Sequence, residues 1–326
     1  MRIARLRVAL LTPLVSLCVT GPAHAQPGTF PARPITIVVP YPAGGVGDAM
    51  ARIIGDKVAK DLGQPVIVDP RPGGNTNIGT LAVSRAAADG YTWLMAAPAL
   101  TSNPSLYPNL WDPLKDFTGV GIAVSAPNMV TVPAQMKIST LSGFIEMARR
   151  SPGSLNYGNP GIGSSLHLNT ELLKLAAGID LTSVAYKGQP PTIPDLIRGD
   201  LSVVFLSSGL AAPQIKAGKL KGLAVVARRR LAEFPDIPTL AEAGYPEANV
   251  VPWYGFVISS RTPDDVAEQI HKALADAMRS PEVQQKLRAN GLEPEPARTM
   301  AEIRSVLHSD FLKYREVVQK ANIRPE

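Results

Sequence analysis

Two glycine-rich segments each stand between a strand-like run and a helix-like run, and both carry groups that could bind an anion. The first is YPAGGVGD at residues 41–48, and the second is GNPGIGSS at residues 158–165. Glycines let the backbone approach a ligand closely, and a helix N-terminus offers free N–H groups together with the positive end of the helix dipole. Because open α/β sheets bind ligands beyond the carboxyl ends of their strands, two such loops predict a cleft with one loop on each side.

Polar side chains are expected to support the backbone groups of both loops. Asp48 is a candidate N-cap of the helix after the first loop, whereas Ser164 and Ser165 add hydroxyl groups and can cap the helix after the second. On local sequence alone, each loop could equally be a turn that only needs glycine. The occurrence of two equivalent loops is the feature that favours a binding site.

A nucleotide site is the first alternative for the earlier loop, because Gly45-x-Gly47 follows a strand and Asp69 stands at the end of the next strand. The dinucleotide fingerprint needs a third glycine, which would fall at Met50, so the fingerprint fails. We therefore expect no nucleotide and no other cofactor.

A secreted serine hydrolase is the second alternative. The run Gly163-Ser164-Ser165-Leu166-His167 matches the G-x-S-x-G nucleophile elbow at two positions but ends in histidine in place of glycine. His167 follows Ser165 by only two residues, which places it on the opposite side of a helix, where it cannot act as the base. We expect no catalytic residues and no enzyme activity.

The first 25 residues have the pattern of a bacterial secretory signal peptide. Three arginines precede an apolar run at 8–19, and Ala23 and Ala25 form a small-x-small cleavage site. The apolar run is shorter than the roughly 20 residues that a transmembrane helix needs. Cleavage after Ala25 would place the mature protein in the periplasm.

Composition excludes several further classes of protein. The net charge of the full sequence, +6, includes three arginines of the signal peptide, so the mature surface is only mildly positive and does not indicate nucleic-acid binding. No later segment offers about 20 consecutive apolar residues, so we expect no membrane span. The four histidines are scattered and the single cysteine, Cys18, belongs to the signal peptide, so we expect no metal site.

Strand-like and helix-like segments alternate along the mature chain, which predicts an α/β protein. The β-branched run 35–39 precedes a helix-like segment at 48–62, in which apolar residues recur at a spacing of four. Further strands are expected at 66–68, 91–97, 128–133, 155–158, 181–186, 201–206, 223–226 and 253–258, and further helices at 77–88, 141–150, 165–177, 194–198, 211–217, 263–279, 281–289 and 299–321. The first three strands predict a parallel sheet covered on both faces. The pattern repeats without a flexible linker, which predicts two domains joined by crossing strands near 128–132 and 250–255.

The order and spacing of several longer stretches carry a family resemblance. The stretches are PITIVVPYPAGGVGD (34–48), LGQPVIVDPRPGGNTNIGT (62–80), ADGYTWLM (88–95), NPSLYPNLWDPLKDF (103–117), SPGSLNYGNPGIGSSLHL (151–168), VAYKGQPPTIPDLIRGDL (184–201), AGKLKGLAV (217–225) and FPDIPTLAEAGYP (234–246). In these stretches the chain resembles the periplasmic solute receptors of tripartite tricarboxylate transporters, also called the Bug receptors. The resemblance covers nearly the whole mature chain.

The resemblance implies a two-domain Venus-flytrap of the type II periplasmic-binding-protein fold. We expect a signal peptide at 1–25, one domain from 26–128 plus 251–326, and a second domain at 129–250. The two α/β domains would close over a small organic carboxylate, which the receptor delivers to membrane permease subunits. A sensor for a membrane signalling partner such as a kinase has the same sequence features and stays open as an alternative. A monomer is expected.

The resemblance also implies which residues hold the carboxylate, through backbone and hydroxyl groups of the two loops. Carried over by position, they are Tyr41, Ala43, Gly44, Gly45 and Asp48 in the first loop, Asn77 in the segment that follows the second strand, and Asn159, Gly161, Ser164 and Ser165 in the second loop.

Two positions depart from the family pattern. Gly47 stands where the family often has a threonine, and Leu206 stands in the Phe-Asp-Asn run of the family in place of the aspartate. Loss of these polar groups predicts a pocket that is less suited to an amino group and more tolerant of an apolar ligand body.

Overall fold

The computed structural model describes residues 30–325. The predicted signal peptide at 1–25, with its cleavage after Ala25, lies outside the described residues. Within the described part of the chain, none of the helices combines the length and the apolar content that crossing a bilayer requires.

Strands and helices alternate along most of the described chain. In order they are β1 (Ile35–Val39), α1 (Val46–Leu62), β2 (Val66–Pro70), α2 (Asn77–Ser84), β3 (Thr92–Ala96), α3 (Ala99–Leu106), β4 (Phe117–Ser125), β5 (Asn128–Pro133), α4 (Leu141–Arg150), β6 (Asn156–Asn159), α5 (Ser165–Ala177), β7 (Thr182–Ala185), α6 (Thr192–Arg198), β8 (Val204–Ser207), α7 (Ser208–Lys216), β9 (Leu220–Val226), β10 (Trp253–Ser259), α8 (Asp264–Arg279), α9 (Pro281–Ala289), β11 (Glu293–Pro294) and α10 (Met300–Lys320). A short 3₁₀ helix at Pro246–Ala248 precedes β10.

The first sheet has the strand order β11-β4-β10-β3-β1-β2. Strand β1 pairs in parallel with β2 and β3, as the sequence predicts, but β10 runs antiparallel to both β3 and β4. The parallel arrangement predicted for the first three strands is therefore confirmed. The antiparallel strands β10 and β11 return to this sheet from the far end of the chain, so the strand-by-strand pattern near the N-terminus could not indicate them.

The second sheet is built from the middle of the chain. Strand β5 lies between β8 and β9 and is antiparallel to both, whereas β6 and β7 form a parallel pair. A parallel bridge between Tyr157 and Val203 connects this pair to the segment that leads into β8. The resulting order, β7-β6-β8-β5-β9, repeats the arrangement β2-β1-β3-β10-β4 of the first sheet.

Each sheet has its own buried core. Around the first sheet, Ile37, Met50, Trp93 and Phe256 are fully or almost fully buried with α1, α8 and α9 packed over them. Around the second sheet, large side chains of α4, α5, β6 and β8 form a separate cluster, which contains Phe144, Tyr157, Leu173 and Phe205. Burial of these apolar faces is the main force that holds the helices on the sheets.

Two elements that precede β5, helix α3 and strand β4, were not predicted from the sequence. Helix α3 has Pro104 within its eight residues and little apolar periodicity. Strand β4 contains Gly119 and Gly121, which weaken a strand signal. A Cβ at Gly119 would lie 2.3 Å from Ile303 Cγ2 of α10, and one at Gly121 would lie 3.3 Å from Leu274 Cδ1 of α8. These glycines let both helices pack closely on the strand, which local sequence does not disclose.

Two short segments run side by side between the sheets. Ala126 and Pro127 connect β4 to β5, and Val250 to Pro252 lead into β10. The Ala126 N–H donates to the Pro252 carbonyl oxygen at 2.9 Å, so the segments are hydrogen-bonded where they cross. Helix α10 strengthens this junction, because Tyr314 and Val317 pack in one buried cluster with Leu106 of α3 and Leu168 of α5.

Candidate functional site

The first loop connects β1 to α1 and is organised around Asp48. The Asp48 carboxylate accepts hydrogen bonds from the Gly44 N–H and from the Arg52 Nε and NH2 groups, each at 3.0 Å. The hydrogen bond from Arg52 is the main reason that the pKa of Asp48 lies below its ordinary value. The Asp48 side chain is only 6% exposed, so it forms part of the loop framework.

One expectation for this loop is corrected, and the backbone angles show which glycine the turn requires. The N-cap of α1 is Gly45, not Asp48, and Asp48 lies in the first helical turn with its carboxylate directed back to the loop. The residue with a positive φ is Gly44, at +79°, whereas Gly45 has an ordinary φ of −78°. Because Gly44 already donates its N–H to Asp48, the donors left at this loop are the amides of the first turn of α1, which have no partner inside the helix.

The second loop connects β6 to α5 and is held by Asn159 and His167. The Asn159 side-chain oxygen accepts from the Gly161 N–H at 3.0 Å, and Nδ1 of His167 accepts from the Gly163 N–H at 3.1 Å. Ser164 caps α5, as expected, by accepting from the His167 N–H at 3.3 Å. Burial lowers the pKa of His167, which keeps the ring neutral and its Nδ1 able to accept.

Ser165 is the second-loop side chain that remains available to a ligand. It is half-buried at the first residue of α5, and its hydroxyl has no hydrogen-bond partner among the described residues. The His167 ring is engaged by Gly163, so the described residues contain no serine–histidine pair at this loop. The Ser165 hydroxyl and the first amides of α5 are therefore hydrogen-bond donors that the described residues leave unused.

A helix that the sequence did not predict, α3, joins the second loop to the segment that follows β2. Asn103 of α3 donates through Nδ2 to the Asn75 carbonyl at 2.6 Å and to the Asn77 side-chain oxygen at 2.8 Å. Ser102 of the same helix donates to the Gly163 carbonyl of the second loop at 3.4 Å. Helix α3 thus fixes Asn77 with its oxygen occupied and its amide nitrogen left as the donor, and it brings the second loop against the first sheet.

The contact at Gly163 is close. Its φ is +75°, and a Cβ at this position would lie 2.3 Å from Leu106 Cδ1 and 3.4 Å from Asn75 Nδ2. Only glycine therefore fits both the backbone angle and the approach to α3. Gly161, with a φ of +153°, has open space around it and meets no such neighbour.

Two tyrosines lie near each other at the first sheet, Tyr41 after β1 and Tyr254 in β10. Burial raises the pKa of both phenols, and Tyr254 raises the pKa of Tyr41 further. Both hydroxyls therefore stay protonated at any physiological pH and can donate a hydrogen bond. The sequence analysis selected Tyr41 and did not select Tyr254.

Leu206 does not behave as the family pattern suggested. Its side chain is fully buried in β8, in a cluster with Met129, Leu196 and Val225. It therefore packs in the core below the second sheet, and the selectivity expected from this substitution loses its structural basis.

No group of three or more histidine, cysteine or acidic side chains within residues 30–325 has the spacing to hold a metal ion.

The two loops and the neighbouring end of the first sheet present hydrogen-bond donors. These are the amides of two helix N-termini, the Ser165 hydroxyl, which has no partner among the described residues, and the neutral phenols of Tyr41 and Tyr254. Such groups match an anion with several acceptor oxygens.

Comparisons with known proteins agree with this chemistry. The family model described as the tripartite tricarboxylate transporter family receptor matches residues 50–323. Protein BugT of Bordetella pertussis is 30% identical over 327 residues, which cover 99% of each chain. The described fold is also similar to two solved structures from Rhodopseudomonas palustris. Rpa4515 with adipate has a TM-score of 0.75 and 31% identity, covering 91% of this chain and 100% of the other. MatC with bound malate has a TM-score of 0.73 and 29% identity, covering 89% and 100%.

The family match spans most of the chain, and the similarity to the two solved relatives covers about nine-tenths of it. The chain belongs to the tripartite tricarboxylate transporter family of periplasmic receptors, which includes the Bug proteins.

Proposed function

We propose that this receptor binds a small organic carboxylate between its two loops and delivers it to the permease subunits of a tripartite tricarboxylate transporter. The observation that carries the proposal is the contact of the second loop, at Gly163, with α3 and with the segment at 75–77 that α3 holds in place. Relatives of this architecture are described with adipate and with malate, which are both dicarboxylates.

The site residues predicted from the sequence take two kinds of role in this proposal. Ser165, the amide nitrogen of Asn77, the Tyr41 hydroxyl and the first-turn amides of α1 and α5 donate to the ligand, and the loop backbone at Ala43, Gly45 and Gly161 lies against it. Asp48, Gly44, Asn159 and Ser164 shape the loops through the hydrogen bonds described above. Tyr254 is added as a further donor beside Tyr41.

The two sheets define the moving parts. We assign residues 26–128 with 251–326 to one domain and 129–250 to the other, with the hydrogen-bonded crossing at Ala126 and Pro252 as the hinge. A ligand held by both loops binds well only in the closed form and therefore shifts the population toward it. Several charge-assisted hydrogen bonds of about 1.5–3 kcal/mol each are enough for a micromolar receptor, which needs about −8 kcal/mol.

We further propose that the protein is exported, is cleaved after Ala25, acts as a monomer and has no enzyme activity of its own. The absence of a serine–histidine pair among the described residues of the second loop supports the last point. A membrane pull-down that recovers permease subunits supports the transport role. Recovery of a sensor kinase in their place would favour the signalling alternative.

The test is calorimetry on the mature protein with adipate, malate and aspartate, with adipamide as the uncharged control of the same length. At least one dicarboxylate should bind in the micromolar range, adipamide should not bind, and the ligand should be chemically unchanged after incubation. Equal binding of the diamide and the diacid would contradict the carboxylate site, and conversion of the ligand would contradict the receptor role.

A further inference from the structure

A cavity of about 480 Å³ lies beside the hinge and is lined by none of the residues assigned to the two loops. Its walls come from both halves of the molecule. Arg228 follows β9 of the second sheet, Asn249 precedes the hinge segment, and α10 contributes residues from Glu302 to Lys313. Trp253, the first residue of β10, forms part of the wall. The volume lies within the usual range for small-molecule sites.

Buried polar atoms without partners occur in this lining. Asn249 uses its Nδ2 to donate to the Ala227 carbonyl at 2.9 Å, while its Oδ1 is buried and has no hydrogen-bond partner within the described residues. Arg298 donates through NH2 to Glu295 at 2.8 Å, while its Nε is buried and equally without a partner in that part of the chain. An unpaired buried polar atom costs free energy, so each needs a complementary group or water.

The charges of the cavity are of both signs. Arg228, Arg298 and Lys313 bring positive charge to the lining, and Arg228 is paired only loosely, at 3.6 Å, with Glu295. Asp310 lies opposite them with one carboxylate oxygen accepting from the Trp253 indole N–H at 2.7 Å. Its other oxygen has no hydrogen-bond partner among the described residues, so this lining residue keeps one carboxylate oxygen as an unused acceptor.

We propose that the hinge cavity binds a second small carboxylate, of the kind that carries a hydroxyl or ammonium group next to its acid group. The cations receive the carboxylate, and the carboxylate oxygen of Asp310 that does not bind Trp253 accepts from the adjacent donor. Two classes of compound share this chemistry, the 2-hydroxy acids and the amino acids. Because the lining joins Arg228 of one half to α10 of the other, an occupant contacts both halves at the hinge.

The Trp253 indole N–H gives a local readout of binding. The sequence has three tryptophans. The other two, Trp93 and Trp111, donate to the Gly90 and Leu100 carbonyls and do not line the cavity. The mature protein is labelled with ¹⁵N-tryptophan, and the three indole signals are assigned by single Trp→Phe substitutions. Lactate, alanine and propionate are then titrated, since all three are three-carbon acids and only propionate lacks the donor.

We expect lactate or alanine to shift the Trp253 signal saturably, and propionate to bind several-fold more weakly. Lys313→Gln should weaken the affinity roughly two- to fivefold. Lys320→Gln, on the same helix but outside the cavity, is the matched control and should leave the affinity unchanged. Ser165→Ala, which alters the cleft between the loops, should also leave this titration unchanged.

The proposal is overturned by any of four results. These are the lack of a saturable Trp253 shift with both lactate and alanine, equal affinity for propionate, an unchanged affinity in Lys313→Gln, or loss of the shift in Ser165→Ala. The last result would place the binding event in the main cleft. If lactate binds more tightly than alanine, the natural ligand is a 2-hydroxy acid. If alanine binds more tightly, it is an amino acid.

Discussion

The terminal methyl of Met95 occupies the space that a side chain at position 47 would need. A Cβ built on Gly47 would lie 2.2 Å from Met95 Cε and 3.3 Å from its sulfur. Met95 is fully buried at the carboxyl end of β3, below the first turn of α1. The missing loop threonine of the family pattern is thus replaced by an apolar group from another strand, and this contact, not Leu206, favours an apolar floor for the carboxylate site.

This relationship predicts energetic coupling between positions 47 and 95. Gly47→Ala should gain roughly 1 kcal/mol of helix propensity but lose most of it by displacing the Met95 methyl. In a Met95→Ala background, the same substitution should stabilise the protein, because the space is free. A double-mutant cycle by urea unfolding should give a coupling energy of about 0.5–1.5 kcal/mol. Additive effects within error would show that the methyl moves aside without cost.

Local signals were sufficient for the regular elements of the fold. The bounds of β1, α4, α5 and α9 were predicted correctly to the residue, because a β-branched run between prolines or an apolar face with a clear cap defines each of them. The antiparallel position of β10 and the existence of α3 depend on contacts with distant parts of the chain, which no local pattern contains.

In the candidate site, too, some features could be predicted from local sequence and others depend on contacts that form only in the folded chain. The glycine-rich loops between a strand and a helix predicted an anion site, which stays a prediction, and the structure leaves the Ser165 hydroxyl without a partner among the described residues. The loop framework could not be predicted, since Asn103, His167 and Met95 act through side-chain contacts that only folding creates. A serine-rich helix start is visible in sequence, whereas a buried asparagine that orients Asn77 is not.

Removal of the Ser165 hydroxyl should weaken carboxylate binding. The hydroxyl has no partner among the described residues, so its loss costs the ligand one hydrogen bond of about 0.5–2 kcal/mol, or roughly two- to thirtyfold in Kd. Calorimetry on Ser165→Ala with the tightest dicarboxylate measures the change. Ser142→Ala, at the start of α4, is the control and should bind as the wild type does. An unchanged Kd in Ser165→Ala would remove this residue from the site.

The mature chain should begin at Gln26. Export through a signal peptide of three arginines, an apolar run and Ala23-x-Ala25 leads to cleavage after Ala25. Intact-mass analysis of a periplasmic extract gives the N-terminus directly. A soluble cytosolic protein that retains Met1 would contradict export, and a lipid-modified chain beginning at Cys18 would contradict the cleavage site.

Asp310 should make stability fall as the pH rises from about 4 to about 6. Burial raises the pKa of Asp310 from 3.8 to about 6, so in this window the folded state keeps a proton that the unfolded state has released. The penalty is complete above the folded pKa and amounts to up to about 3 kcal/mol. Asp310→Asn retains an oxygen for the Trp253 N–H and removes the penalty.

The comparison is the free energy of unfolding of wild type and Asp310→Asn in urea at pH 4 and pH 7. The variant should gain stability relative to wild type between the two pH values. Asp236→Asn, an exposed acid, should show a much smaller change. A constant difference between Asp310→Asn and wild type across this range would mean that the Asp310 carboxyl titrates normally.

Substitution at Gly163 separates loop strain from the contact between the two halves. Gly163→Ala imposes a side chain on a residue with a φ of +75° and pushes it against Leu106, 2.3 Å away. Gly178→Ala, at the other end of α5, imposes the same kind of strain at a φ of +60° with no neighbour within 4 Å. Both variants should lose roughly 1–2 kcal/mol of stability from the backbone angle alone.

Only Gly163→Ala should also lose ligand affinity, because it holds the second loop away from α3 and from the Asn77 region that α3 positions. Leu106→Ala combined with Gly163→Ala makes room for the methyl group, so affinity should recover in part even though burial of Leu106 is lost. Calorimetry on the three variants and on Gly178→Ala distinguishes the cases. If Gly178→Ala weakens binding as much as Gly163→Ala does, strain in α5 rather than closure against α3 controls the affinity, and the approach of Gly163 to Leu106 has no part in binding.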